Sequence, residues 1–115
     1  MIRIAICDDE KHMSDHIRAM ASDFFRKKNR EIQLRTFLSG EELLNYDGQI
    51  DILFLDIQMN GMDGLETARK LRAGKFRGFL IFITVLKEMV FQSFEVQAYD
   101  YLVKPVDEKQ FRKTM

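Results

Sequence analysis

The feature of this sequence that most limits its fold is a regular alternation between short apolar runs and longer amphipathic segments. The apolar runs are rich in isoleucine, leucine and phenylalanine and have the length of β-strands. The third and fourth runs are almost continuously apolar, as in strands that are buried on both faces of a sheet. We predict strands at Ile2–Cys7, Glu31–Phe37, Asp51–Asp56, Phe79–Thr84 and Asp100–Val103.

The segments between these runs carry helical patterns. The first has apolar residues at steps of four, three and four, which places them on a single helical stripe. These residues are Met13, Ile17, Met20 and Phe24. Ser39 and Glu42 form a capping box that begins a short second helix. Further helices are predicted from about Leu65 to Ala73, from Lys87 to Ala98, and from about Asp107 onward.

Strands that alternate with helices form an open parallel sheet with helices on both faces. The sequence therefore predicts an α/β fold with a doubly wound, five-stranded parallel sheet. Because connections between parallel strands are right-handed, the chain winds outward from the middle of the sheet. The binding crevice of such a sheet lies beyond the carboxyl ends of its strands. The residues that end the strands are therefore the candidates for function.

Composition excludes several classes of protein. The 115 residues fit one compact domain. Because 18 acidic side chains balance 18 basic ones, no overall field favours nucleic acid or anionic membranes. No apolar stretch approaches the ~20 residues that cross a bilayer, and we find no signal peptide, so we expect a cytoplasmic protein without membrane attachment. The single cysteine, Cys7, is expected to be a buried apolar side chain.

Polar side chains follow or end four of the predicted strands. Asp8 and Asp9 follow the first strand, Asp56 ends the third, Thr84 ends the fourth, and Lys104 follows the fifth. If the first and third strands are neighbours, the three carboxylates converge, and their mutual repulsion favours a bound cation. Oxygen ligands with room for water molecules suit Mg²⁺ better than zinc. The sequence thus predicts a magnesium site at this edge of the sheet.

Two histidines offer a weaker metal signal. His12 and His16 lie four residues apart on the first predicted helix. Zinc sites need three or four protein ligands, and no third ligand follows this pair. A solvated helix face is therefore the favoured interpretation.

The groups at the strand ends suit phosphoryl transfer. A carboxylate such as Asp56 can act as a nucleophile and form an aspartyl phosphate. Negative charge then develops on the phosphoryl oxygens, and catalysis consists mainly of positioning and electrostatic stabilisation. Mg²⁺, the Lys104 ammonium and the Thr84 hydroxyl could each take one oxygen. Each residue alone has an ordinary structural explanation, but their joint placement favours a phosphoryl-transfer site.

With these motifs the chain resembles the receiver domain of two-component response regulators. The resemblance covers essentially the whole chain. It includes Asp8-Asp9, Asp56 within Leu-Phe-Leu-Asp-Ile-Gln-Met, Gly-Met-Asp-Gly at 61–64, Thr84, and Tyr-Leu-Val-Lys-Pro at 101–105. It implies a flavodoxin-like fold with strand order 2-1-3-4-5. It also implies that residues 1–115 are a receiver domain, and we expect its last helix to be truncated and its output domain to be absent.

The resemblance implies a role for each site residue. Asp56 would accept a phosphoryl group from a sensor histidine kinase. Asp9 and Asp56 would bind Mg²⁺ directly with the backbone carbonyl of Gln58, and Asp8 would bind it largely through water. Lys104 would pair with the carboxylate or the phosphoryl group, and its bond to the following proline would be cis, which costs only ~0.5–1 kcal/mol.

The resemblance further implies a switch. Thr84 would move toward the phosphoryl group, and the Tyr101 ring would turn inward to fill the vacated space. The surface affected would comprise the fourth helix, the fifth strand and the last helix, and it would bind a partner or a second copy. Its exposed apolar residues are expected among Val90, Phe91 and Phe94.

Two phrases resemble receivers that are attached to LytTR-type DNA-binding domains: Phe-Leu-Ser-Gly-Glu-Glu-Leu-Leu and Asp-Ile-Gln-Met-Asn-Gly-Met-Asp-Gly. This similarity implies that the switch controls a C-terminal transcriptional output domain. The protein would contact DNA only through that domain, and the receiver domain would form a homodimer on phosphorylation. Val85 departs from the family, which more often has a small residue here. We expect the larger side chain to slow dephosphorylation.

Three other functions fit the fold less well. A phosphohydrolase with an Asp56 nucleophile would place a second aspartate two residues later, where this chain has Gln58. A flavodoxin-like cofactor binder would have a Gly/Ser/Thr-rich loop after the first strand, whereas Asp8-Asp9-Glu10 would repel a phosphate. An unphosphorylated binding module would not need the complete set of acidic, threonine and lysine side chains. We therefore expect a switch rather than a turnover enzyme.

Overall fold

The computed structural model describes residues 1–85 and 96–115. Five strands within these residues form one parallel sheet. Its strand order is β2-β1-β3-β4-β5, which confirms the predicted doubly wound fold. The second and third strands each begin one residue later than predicted, and the other bounds agree. The strands are β1 Ile2–Cys7, β2 Ile32–Phe37, β3 Ile52–Asp56, β4 Phe79–Thr84 and β5 Asp100–Val103.

Four helices are present in the described residues: α1 Lys11–Lys27, α2 Gly40–Leu44, α3 Gly64–Ala73 and the last helix, Glu108–Thr114. Three of them begin with a side-chain cap that satisfies a free backbone N–H. Ser39 Oγ accepts from Glu42 N at 3.0 Å, and the Asp63 carboxylate accepts from Glu66 N at 2.8 Å. The Asp107 carboxylate caps the last helix in the same way. The predicted starts near Ser39 and Asp107 are confirmed.

The buried face of α1 differs from the predicted stripe. Of the four stripe residues, only Ile17 is fully buried; Met13, Met20 and Phe24 are partly buried. The residues that face the sheet are Ser14, Ile17, Ala21 and Phe25. The small side chains at 14 and 21 let the helix approach the sheet closely, and the larger residues of the stripe cover the flank of this contact.

Residues 86–95, and with them most of the predicted helix from Lys87 to Ala98, lie outside the described part of the chain. The described end of this segment contradicts the predicted bound at Ala98. Gln97 has φ 57°, in the left-handed region that a right-handed helix does not enter. Gln97 and Ala98 are therefore not part of a helix.

Both faces of the sheet are covered by helices. On one face, Leu53, Leu55 and Phe82 pack with residues of α2 and α3. On the other face, side chains from β1, β3 and β4 pack against α1 and the last helix, where the rings of Phe54 and Phe111 stack with centroids 5.6 Å apart. Alternate residues of β1, β3 and β4 thus face opposite cores, which explains their nearly continuous apolar sequences. Within the described residues, no helix has the length and apolar character needed to cross a membrane.

Candidate functional site

The register of the sheet brings together the acidic residues at its carboxyl edge. β1 and β3 are parallel neighbours, with Cys7 opposite Leu55. Asp8 follows Cys7 and Asp56 follows Leu55, so the two aspartates lie side by side just beyond the last residues paired between β1 and β3. Both are buried, with 1% and 2% of their surface exposed. The predicted meeting of the first and third strand ends is therefore present.

Lys104 lies between these two carboxylates. Its Nζ donates a hydrogen bond to Asp56 Oδ2 at 3.3 Å and lies 3.2 Å from Asp8 Oδ2. The Lys104 backbone N–H donates to the carbonyl of Thr84 at 2.8 Å, which ties the loop after β5 to the end of β4. The bond between Lys104 and Pro105 is cis, as expected. A mostly buried ammonium thus compensates the negative charge of two buried carboxylates.

The electrostatics of this group are governed by burial. In the absence of a cation, burial and then the nearby charge of Asp8 raise the pKa of Asp56 from 3.8 to about 7, although Lys104 opposes this change. Burial disfavours the charged form of Lys104, but the charges of Asp56 and Asp8 outweigh it and raise the pKa of the ammonium. Lys104 therefore stays charged, and Asp56 is a carboxylate that additional positive charge would stabilise.

The acidic residues also offer oxygen atoms to a cation. Asp8 Oδ1 accepts from the backbone N–H of Glu10 at 2.9 Å. Asp8 Oδ2 is buried and accepts no hydrogen bond from the described residues beyond its ion pair with Lys104. Ligand atoms of Asp8, Asp9 and Glu10 lie within 4.8 Å of one another. Carboxylate oxygens are hard ligands of the kind that Mg²⁺ prefers.

The loop after β3 completes the edge of the site. The Gln58 N–H donates to Asp56 Oδ1 at 3.2 Å, and the Asn60 N–H donates to Asp9 Oδ2 at 3.0 Å. Asp9 is thereby connected to the loop that follows Asp56, although it is only partly buried. The contact from Asn60 was not predicted, because a backbone N–H leaves no trace in the sequence.

Gly64 has a structural role that the sequence motif alone did not explain. A Cβ at this position would lie 2.1 Å from the backbone oxygen of Asp56. The Gly64 N–H donates to the carbonyl of Ile57 at 2.8 Å. The first turn of α3 therefore lies directly against the end of β3, and only glycine allows this approach.

Three other predicted residues lie on β4, on β5 or directly after β4. Thr84 is fully buried and is opposite Val103 in the β4–β5 register. Tyr101 is 38% exposed, and the side chain of Val85, next to Thr84, is 54% exposed. The predicted apolar surface residues Val90, Phe91 and Phe94 lie outside the described part of the chain.

Cys7 precedes Asp8 at the end of β1, and the two histidines lie on α1. Cys7 is fully buried, as expected, and burial followed by the charge of Asp8 raises the pKa of its thiol to about 12. His12 and His16 are both exposed, as predicted. His16 additionally forms a 2.7 Å hydrogen bond with the backbone oxygen of Val106, 90 residues away, which sequence reasoning missed.

Comparison with known proteins agrees with this geometry. Residues 4–115 match the family described as "Response regulator receiver domain". Sensory transduction protein LytT of Bacillus subtilis is 30% identical over 117 residues, which cover all of this chain and 47% of that protein. Transcriptional regulatory protein BtsR of Escherichia coli K12 is 33% identical over 122 residues, with the same coverage of the two chains. This chain therefore spans about half the length of these relatives.

A solved structure extends the comparison to the whole fold. The crystal structure of response regulator protein TrrA from Thermotoga maritima, in complex with Mg(2+)-BeF, aligns with a TM-score of 0.73 and 28% identity. The alignment covers all of both chains. The family match, these similarities and the observed strand order together confirm the resemblance noted in the sequence. The chain belongs to the response regulator receiver domain family and is the receiver domain of a two-component response regulator.

Proposed function

We propose that Asp56 is the phosphoacceptor of this receiver domain and that a sensor histidine kinase supplies the phosphoryl group. The observation that carries this proposal is the position of Lys104 Nζ, within 3.3 Å of the buried carboxylates of Asp56 and Asp8. Such an arrangement provides a nucleophile and a fixed cation at one point in a largely desolvated crevice.

The metal ligands proposed here are Asp8, Asp9 and Asp56, with the backbone carbonyl of Gln58. The buried Asp8 Oδ2, which has the Lys104 ammonium as its one partner among the described residues, supports a role for Asp8 in holding a cation, directly or through water. The raised pKa of Asp56 supports the same assignment, because a group that is costly to ionise alone gains from an added positive charge. When bound, Mg²⁺ supplies positive charge that stabilises the phosphoryl oxygens.

The reaction transfers one phosphoryl group. An Asp56 carboxylate oxygen attacks the phosphorus of the kinase phosphohistidine and the P–N bond breaks. The bonding pair goes to the ring nitrogen, and the imidazole leaves as a neutral ring because its other nitrogen already carries a proton. The product is an acyl phosphate on Asp56. The Lys104 ammonium is placed to stabilise charge on the transferring group, and Thr84 lies at the adjacent strand end, where its hydroxyl can bind a phosphoryl oxygen. The aspartyl phosphate is then lost by hydrolysis, without turnover of a separate substrate.

The switch is proposed to consist of Thr84 and Tyr101. Thr84 is buried at the end of β4, whereas Tyr101 on the neighbouring strand is partly exposed. Movement of the Thr84 hydroxyl toward the phosphoryl group would open space beneath it, and the Tyr101 ring would lose exposure as it moves inward. A single charged ligand can shift such a two-state element because it binds one state better.

The output is proposed to lie in the longer protein. The relatives are about twice as long and include a transcriptional regulatory protein. We infer that residues 1–115 form a receiver unit, and that phosphorylation promotes a homodimer that controls a C-terminal DNA-binding domain. Control of transcription would place the protein in the cytoplasm, where the DNA is.

Exposure to a small phosphodonor tests this function. The protein is incubated with the donor and Mg²⁺, and intact-mass and peptide analysis follow. We expect one added phosphoryl group on Asp56, and none in Asp56→Asn or after chelation of Mg²⁺. Asp47→Asn, which alters an exposed carboxylate, is the matched control and should be phosphorylated as the unaltered protein is. Phosphorylation that persists in Asp56→Asn would refute the assignment, and steady turnover of a phosphate ester would favour a phosphatase.

A further inference from the structure

The backbone on the amino-terminal side of Lys104 is held by a side chain from the last helix. β5 is the edge strand of the sheet formed by the described residues. Gln110 lies against this edge: its Oε1 accepts from the Val103 N–H at 2.7 Å, and its Nε2 lies 3.4 Å from the Val103 carbonyl, to which it donates. The amide of Gln110 therefore takes the place of a neighbouring strand at the residue that precedes Lys104.

The backbone on the other side of Lys104 is held from α1. His16 Nε2 lies 2.7 Å from the backbone oxygen of Val106. Because a carbonyl oxygen can only accept, His16 Nε2 must carry the proton and donate it. Val106 is 2% exposed, so its own side chain is fixed in the core. His16 thus connects α1, which begins directly after the acidic residues that follow β1, to a fixed point two residues after Lys104.

We propose that His16 and Gln110 are positioning residues that hold residues 103–106 so that Lys104 Nζ lies between Asp8 and Asp56. This inference rests on the proposed function for Lys104 and extends it to residues that do not touch the phosphoryl group. A lysine side chain has several rotatable bonds, so its ammonium is placed only as well as its backbone is placed. Misplacement of a catalytic group by a fraction of an ångström lowers the rate of a reaction that depends on positioning.

The position of Lys104 can be measured without any phosphodonor. NMR signals of the lysine Cε and Nζ atoms are recorded for the protein and for His16→Phe and Gln110→Leu, and the Lys104 signal is assigned from its loss in Lys104→Met. We expect the Lys104 signal of both variants to move toward the signals of exposed lysines. His12→Phe changes an exposed histidine on the same helix and should leave the signal in place. A Lys104 signal that is unmoved in both variants overturns the proposal.

Phosphorylation kinetics provide the second measurement. At saturating Mg²⁺ we expect His16→Phe and Gln110→Leu to lower the rate of Asp56 phosphorylation by a small phosphodonor about three- to tenfold. His16→Gln keeps a donor at a similar distance and should restore most of the rate. In the Lys104→Met background, the same two substitutions should cause no further loss, because the group that they position is gone.

The outcomes separate this proposal from the proposed function. If the unaltered protein accepts no phosphoryl group at Asp56, the proposed function fails, and the Lys104 NMR signal still decides whether His16 and Gln110 position the lysine. If Asp56 is phosphorylated but both variants react at the unaltered rate, only the positioning role fails. If His16→Phe and Gln110→Leu lower the rate equally with Lys104 and with Lys104→Met, the loss reflects general destabilisation, and the positioning role also fails. The same conclusion follows if His16→Gln does not recover the rate.

Discussion

Replacement of Asp56 by asparagine should stabilise the metal-free protein at pH 8. The pKa of Asp56 is raised by burial and by the charge of Asp8 from 3.8 to about 7, so its ionised form is disfavoured in the folded state. Relative to the ionised form, protonated Asp56 stabilises the folded state. This stabilisation is fully present below pH 3.8 and is lost as the pH rises through about 7, where Asp56 ionises in the folded protein. At pH 8 the folded protein therefore carries the full cost of an ionised Asp56, and asparagine removes that cost.

The size of the effect follows from the pKa shift. A difference of about three units, at about 1.4 kcal/mol per unit, sets a limit of about 4 kcal/mol. Asparagine is not identical to a protonated aspartate in its contacts with Lys104, so we expect a gain of about 2 to 4 kcal/mol in the free energy of unfolding. The gain should shrink as the pH falls from 7 toward 4, because the unaltered Asp56 then becomes protonated in the folded state.

Urea unfolding followed by circular dichroism measures this gain, since the chain has no tryptophan. The unaltered protein and Asp56→Asn are compared at pH 8 and pH 5 with a chelator, with Asp47→Asn as a control for loss of an exposed negative charge. Added Mg²⁺ should stabilise the unaltered protein more than Asp56→Asn and so narrow the difference at pH 8. A metal-free Asp56→Asn that is less stable at pH 8, or equally stabilised at both pH values, would refute this reasoning.

Three further predictions follow from individual contacts. Gly64→Ala should lower the phosphorylation rate at least tenfold and lower the free energy of unfolding by roughly 2 kcal/mol or more, because its Cβ would lie 2.1 Å from the backbone oxygen of Asp56. Gly74→Ala, whose Cβ would have its nearest neighbouring atom at 3.4 Å, is the control for both assays. Arg72→Met should lower the free energy of urea unfolding by about 2 to 4 kcal/mol. The reason is that the Arg72 guanidinium donates to four backbone oxygens, those of Phe76, Gly78, Val96 and Gln97. A change below the experimental error would show that these bonds do not stabilise the fold. Val85→Ala should shorten the lifetime of the aspartyl phosphate, measured by mass spectrometry after removal of the donor, because the exposed Val85 directly follows Thr84 at the end of β4. An unchanged lifetime would show that Val85 does not limit access of water.

Local sequence patterns were sufficient to predict the fold class and the edge of the sheet at which the site lies. Strand and helix periodicities are local, so they could be read without knowing which residues meet. The alternation of elements then placed Asp56 and Lys104 at carboxyl ends of strands, because every strand of a parallel sheet points the same way. The cap at Ser39 was likewise predictable, since its partner is three residues away.

Properties that depend on close packing could be known only from the folded chain. The apolar pattern of α1 predicted a helix but not that Ser14 and Ala21 would face the sheet, because either side of a broad apolar face can be turned inward. The pKa of Asp56 depends on how deeply it is buried and on the distance to Asp8, neither of which is a property of the local sequence. The bond from His16 to Val106 joins residues 90 positions apart, so only the folded chain could specify it.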